Sequence, residues 1–209
     1  MSSYGVDHRR LHAIVEEAMA VDAENLVWID MEMTGLDPYR NTVLEIASII
    51  TNSDLEILAE GPVAVVHQDD STLDSMDDWN LHHHKVSGLL DEVRSSKTTV
   101  RDAEQQTLSF LRQWVPRGKS PICGNSVGQD RHFIAHHMSE LHLFLHYRSI
   151  DVSSIKELHR RWWPNERARF VKRSTHRALS DIKGSIEELR YYRRILFRSR
   201  PAVEYTKPE

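Results

Sequence analysis

The sequence predicts an α/β fold: a mixed sheet of three antiparallel strands and then two further strands, flanked by α-helices. Two observations carry this. Three segments rich in β-branched and apolar residues, 26–33, 42–51 and 56–67, follow one another with only short polar breaks. Later in the chain, helix-period stretches alternate with short apolar ones, the pattern of helices laid against sheet strands. At 209 residues, the chain has room for one well-cored domain and falls short of two ordinary ones.

Taken in order, residues 1–24 read as an N-terminal helical extension. Leu11, Ile14, Val15, Ala18 and Met19 repeat at helical spacing over 9–20. The main domain spans 25–198. Its first strand is "LVWIDMEM" (26–33), and "TGLDPYRN" turns the chain. "TVLEIASIIT" (42–51) and "EILAEGPVAVVH" (56–67) form a hairpin about "NSD" (52–54). After an acidic loop, "DDWNLHHHKVSGLLDEV" is one or two short helices, and 100–115 is a stronger one that Asp102 can cap. "SPICGNS" (120–126) is a buried strand before one helix through "GQDRHFIAHHMSEL". "YRSIDV" (147–152) is the last strand and leads into "SSIKELHRRWW", which Pro164 stops. A polar, basic loop over 164–175 precedes a long helix over 178–197, where Leu179, Ile182, Ile186, Leu189, Tyr192 and Leu196 share a face. Residues 199–209 are a tail.

Composition narrows the function classes. No stretch approaches the ~20 apolar residues of a membrane helix, so no membrane role is expected. Glu16, Glu17, Asp22 and Glu24 break any apolar run that a signal peptide would need. A lone cysteine, Cys123, excludes an internal disulfide and a cysteine-based zinc cage, and a cytoplasmic location is expected. Net charge is −4, yet residues 151–200 hold 14 Lys+Arg against 6 Asp+Glu. A basic segment on an acidic body suits a polyanionic partner, and it also suits a plain solvated helix face.

The chemistry sits in the acids. Side chains alternate along a strand, so Leu26, Trp28, Asp30 and Glu32 share one face and Val27, Ile29, Met31 and Met33 the other. A strand apolar on both faces is a central one, and two carboxylates on one face of it repel each other. A divalent cation with hard oxygen ligands relieves that repulsion. By itself the pair also fits a strand that ends in solvent. Asp130 lies in the first turns of a helix and Asp181 near the start of the last one. His176, five residues before Asp181, is off that helix's same-face spacing and belongs to the preceding loop. "HHH" at 82–84 is no zinc tract, because consecutive helical residues point in different directions.

Together, "WIDMEMTGLDP", "EIA", "ILAEGP", "MDDWN", "SGL", "GNSVGQD", "HYRSIDVSS" and "HRALSDI" resemble the DEDDh 3′–5′ exonuclease superfamily, with its RNase H-like fold, and within it the oligoribonucleases. The match runs in order from about residue 26 to 197. The resemblance implies that Asp30, Glu32, Asp130 and Asp181 hold two divalent cations, Mg²⁺ or Mn²⁺, which clamp the scissile phosphate. It implies that His176 is the general base. It implies contacts to short single-stranded RNA from Leu36 as a wedge between bases, from Trp79 and His84 at the bases, and from Ser126 and Ser153 at the backbone and 5′ phosphate. Tyr147 and Arg148 would cap that phosphate across a homodimer interface, which favours very short RNAs. The expected activity is 3′-to-5′ hydrolysis of oligoribonucleotides, down to dinucleotides, to 5′-mononucleotides. The alternatives are a DNA-directed or tRNA-trimming exonuclease of the same superfamily and a catalytically silent RNA-binding or scaffold protein.

Overall fold

The computed structural model describes residues 21–165, 170–171 and 176–197. The expected helix over 9–20 and most of the loop over 164–175 lie outside the described residues.

Five strands form one sheet: β1 (Leu26–Met33), β2 (Val43–Thr51), β3 (Ile57–Val65), β4 (Ile122–Gly124) and β5 (Ser149–Asp151), in the order β3-β2-β1-β4-β5. The first three are antiparallel neighbours, while β4 runs parallel to β1 and β5 parallel to β4. β1 is therefore central, as its two apolar faces require. One face packs Val27, Ile29, Met31 and Met33 against α4 (Val100–Leu111), α5 (Gly128–His137) and α6 (Ser139–Phe144) through Leu108, Leu111, Phe133, Ile134 and Leu141. The other packs Trp28, Ala47, Ile49 and Cys123 against α7 (Val152–Trp162) and α8 (Ala178–Leu196) through Val152, Ile182, Ile186 and Tyr192. Each large side chain buried this way contributes about 1.5–3 kcal/mol. The Trp28 indole also donates to Thr51 Oγ1 at 3.0 Å, so its polar atom is satisfied inside the core.

Three short helices, α1 (Asp70–Asp74), α2 (Asp78–Val86) and α3 (Leu89–Ser95), cover a third apolar cluster around Leu44, Leu73 and Leu89. Gly88, at φ +77, makes the left-handed link that separates α2 from α3. The "acidic loop" thus contains α1, capped by Asp69, whose side chain accepts from Thr72 N. Two further local readings are corrected. The cap of α4 is Thr99, with Asp102 completing a reciprocal capping box three residues on. The helix expected from Gly128 onward is two helices, because Met138 is non-helical at φ −134. Glu104 of α4 then accepts from Glu140 N at 2.7 Å and Leu141 N at 3.0 Å, satisfying the start of α6 from a distant element.

Candidate active site

The site is built where β1 outruns its neighbour. β4 pairs only with Val27 and Trp28, so the later β1 amides on that side need other partners. Asp130, in the first turn of α5, fills the gap: its Oδ1 accepts from Met31 N at 3.0 Å. Asp30 and Glu32 stand on the opposite face from Met31, where α8 brings Asp181 of its first turn against them. Ligand oxygens of Asp30, Glu32 and Asp181 all lie within 4.8 Å of one another. Asp130 stands beside this trio, with Asp30 raising its carboxyl electrostatically.

Such crowding is unfavourable for bare carboxylates. Burial first, and then Asp30 and Asp181, push the Glu32 carboxyl up to about 8. Burial and neighbouring Asp30 likewise raise Asp130 well above the usual carboxylate range. Only protons or a cation relieve both effects. The donors are carboxylate oxygens throughout, which fits a hard divalent ion such as Mg²⁺ or Mn²⁺.

A buried fifth carboxylate organises the approach to this cluster. Glu45 pairs with Glu32 across the β1–β2 ladder and is fully buried. Its Oε1 accepts from Arg177 Nε at 3.1 Å and Nη2 at 2.8 Å, and its Oε2 accepts from Ala178 N at 2.7 Å. The outer edge of the same guanidinium meets both oxygens of Glu92 on α3, at 2.7 and 2.8 Å. His176 precedes Arg177 and has a left-handed backbone, φ +52. Its ring meets the rings of His83, at 4.6 Å between centroids, and Trp79, at 5.6 Å.

A rim of exposed side chains stands on elements tied to the Asp130 helix and to His176. Leu36 is 75% exposed, Trp79 58% and Tyr147 71%, large apolar surfaces that face solvent for most of their area. Trp79 is therefore no core aromatic. Leu36 is held by a tight turn in which Gly35 approaches the Asn41 side chain so closely that a Cβ would lie 2.6 Å from its Oδ1. Gln129 on α5 donates to the Leu36 carbonyl, tying that turn to the helix carrying Asp130. Arg148 lies over the Tyr147 ring, 5.3 Å from its centroid.

His84, which the resemblance places against the bases or in the lining of their pocket, is a buried residue of α2. It is buried beneath the rim, with Nε2 3.0 Å from the Met33 carbonyl oxygen and Nδ1 3.8 Å from Glu32 Oε2. As the carbonyl can only accept, Nε2 is the donor, and the ring braces β1 from α2. The physical reason is register: on α2, His84 points toward the sheet while Trp79 and His83 point outward. Ser126 and Ser153 do meet, their hydroxyls 3.1 Å apart.

Sequence reasoning missed two residues that hold this rim. Asp151 Oδ1 accepts from both Ser126 N and Ser153 N, each at 2.9 Å, which keeps Ser126 in its left-handed conformation at φ +51. Arg131 donates to the carbonyl oxygens of His146, at 2.6 Å, and Arg148, at 3.4 Å, fastening the loop that presents Tyr147. "SID" reads as strand and "QDR" as helix, so no local signal marked either as a brace.

Residues 27–189 match the family model for exonucleases, RNase_T. Three curated relatives are oligoribonucleases. That of Aeromonas hydrophila is 57% identical over 180 residues, covering 86% of this chain and 99% of its own. That of Shewanella frigidimarina is 54% identical with the same coverage, and that of Salmonella typhimurium is 55% identical over 175 residues, 84% of this chain and 97% of its own. The chain belongs to the oligoribonuclease family. Among solved structures, the zinc-bound E. coli exonuclease I–single-stranded DNA complex superposes with a TM-score of 0.66 at 14% identity, over 84% of this chain and 41% of that one. Exonuclease I of Methylocaldum szegediense gives 0.61 at 15%, over 82% and 41%. The chain thus spans about two fifths of those enzymes, and the likeness establishes the RNase H-like fold. Among the described residues, no helix is long and apolar enough to cross a membrane.

Proposed function

We propose that this chain is a 3′-to-5′ exoribonuclease that hydrolyses very short oligoribonucleotides, down to dinucleotides, to 5′-mononucleotides. One observation carries the reading: three carboxylates converge within 4.8 Å on elements tied to exposed base-sized surfaces, since Gln129 of the Asp130 helix holds the Leu36 turn and the Trp79 ring meets that of His176.

In this reading Asp30, Glu32, Asp130 and Asp181 hold two divalent cations, Mg²⁺ or Mn²⁺. When bound, these supply Lewis acidity at the phosphate and a lowered pKa for water. Leu36 wedges between adjacent bases of the single strand and Trp79 stacks on a base, a contact every base can make through its π-face. His176 stands at the edge of Trp79 and takes the proton of the attacking water. The new bond joins water oxygen to phosphorus, and the P–O3′ bond breaks to leave the shortened RNA and a 5′-mononucleotide. Ser126 and Ser153 bind the far phosphate. Tyr147 and Arg148 cap it from a second copy of the chain, in a homodimer working in the cytoplasm.

The test follows 5′-labelled RNAs of two, five and twenty nucleotides with Mn²⁺ or EDTA, for the parent chain and Asp130→Ala. Rapid metal-dependent cleavage of the dinucleotide, lost in a variant that still melts cooperatively, is expected. Preference for the longest RNA would instead indicate a general exonuclease. Binding without cleavage would sink the catalytic reading.

A further inference from the structure

A buried charge needs a reason, and Glu45 has no evident one as a ligand. It is fully buried opposite Glu32, and its presence adds another negative charge to a place already crowded with them. A neutral side chain would spare the site that repulsion. What the carboxylate does instead is geometric. Both of its oxygens are committed, one to two nitrogens of the Arg177 guanidinium and the other to the Ala178 amide, the first residue of α8. Glu92 then holds the guanidinium from its outer edge in a second bidentate pair. The segment so fixed is a single residue long, and the residue on its other side is His176, turned at φ +52. Three residues beyond Ala178 is Asp181.

We infer that Glu45, Arg177 and Glu92 form a latch whose task is to position His176 over the carboxylate cluster, with Glu45 the residue that seats it in the sheet. The inference rests on the reading of His176 as the general base. Because α8 is anchored along its length by Ile182, Ile186 and Leu189 in the core, Asp181 keeps its place without the latch. His176 lies outside the helix: its ring meets those of His83 and Trp79, and its backbone enters the site through the turn at Arg177. A planar guanidinium gripped by carboxylates on both edges fixes that turn in orientation as well as distance, which an ammonium could not do.

The experiment is a double-mutant cycle. Glu45→Gln and Arg177→Lys are each combined with His176→Ala, and kcat and KM on a dinucleotide, Mn²⁺ affinity and melting temperature are measured for every variant. Displacement of a reacting group by about 1 Å can lower turnover about 10²-fold. We expect Glu45→Gln and Arg177→Lys to lower kcat by about that factor with KM and Mn²⁺ affinity within threefold (~), and to lose nothing further once His176 is already Ala. Arg177→Lys keeps the charge at a half-exposed position, so it reports on geometry even if Glu45→Gln folds poorly. Full turnover in Arg177→Lys would overturn the latch. So would losses that multiply with that of His176→Ala, or a matching drop in Mn²⁺ affinity, since either places the effect at the carboxylates. If His176→Ala itself leaves kcat unchanged, it is the general-base reading that has failed.

Discussion

The acids and the rim around them are built in opposite ways. Asp30 and Glu32 stand on the central strand and Asp181 on a helix bolted to it, while Asp130 is 5% exposed and tied to a strand amide. Leu36, Trp79 and Tyr147 sit on a turn, a short helix and a loop, mostly in water. The first region is rigid and electrostatically strained; the second is relaxed and apolar. In the proposed reading the acids take a cation and the rim takes bases. Cation and nucleic acid are therefore expected to act on separable properties, turnover and affinity.

The largest effects should come from the acids. Glu32→Gln is expected to abolish cleavage in steady-state assays while raising the melting temperature in EDTA at alkaline pH, because it removes a charge from a repulsive cluster. A variant that lost both activity and stability would break the contrast. His176→Ala should lower kcat by about 10²–10⁴ with little change in KM, measured on a dinucleotide. Trp79→Ala should act on affinity instead, weakening RNA binding by ~1–3 kcal/mol with the melting temperature unchanged, as a titration of fluorescent RNA will read.

Next comes pH. Glu32 has its folded pKa raised from 4.5 to about 8, so the folded state holds this proton more tightly than the unfolded chain does. The contribution is fully present below the unfolded value and is lost as pH rises from about 4.5 through about 8. Melting curves in EDTA across this range should fall with rising pH, and saturating Mn²⁺ should flatten the slope. The smallest effect is reserved for a site far from either region. Thr99→Ala removes the α4 capping box at about 1 kcal/mol in urea unfolding, with kcat and KM unchanged.

How much of this was legible beforehand depends on how far each contact reaches along the chain. The strand face shared by Trp28, Asp30 and Glu32 follows from alternation alone, and the structure keeps it. The α8 stripe of Ile182, Ile186 and Leu189 follows from helical period in the same way. Local chemistry was legible in kind but not in detail: Thr99 and Asp102 satisfy each other, and only Asp102 stood out as a cap. The break at Met138 was invisible because its remedy, Glu104, comes from a different helix. Glu45 was more hidden still. Within "EIA" it reads as an ordinary strand acid, and its partners Arg177 and Ala178 are near the other end of the domain. His84 shared its triplet with two outward residues, and only the packing of α2 told them apart.

One consequence follows from where Asp181 comes in the chain. It and Asp30 belong to opposite ends of the segment that matches the exonuclease family, and the helix carrying Asp181 packs only on a sheet that already exists. Contacts of such long sequence separation form late in folding. During synthesis, the emerging polypeptide would expose Asp30, Glu32 and Asp130, together with Leu36, Trp79 and Tyr147, well before the last acid could join them. Under the proposed function, a half-made chain therefore lacks one of its four cation ligands.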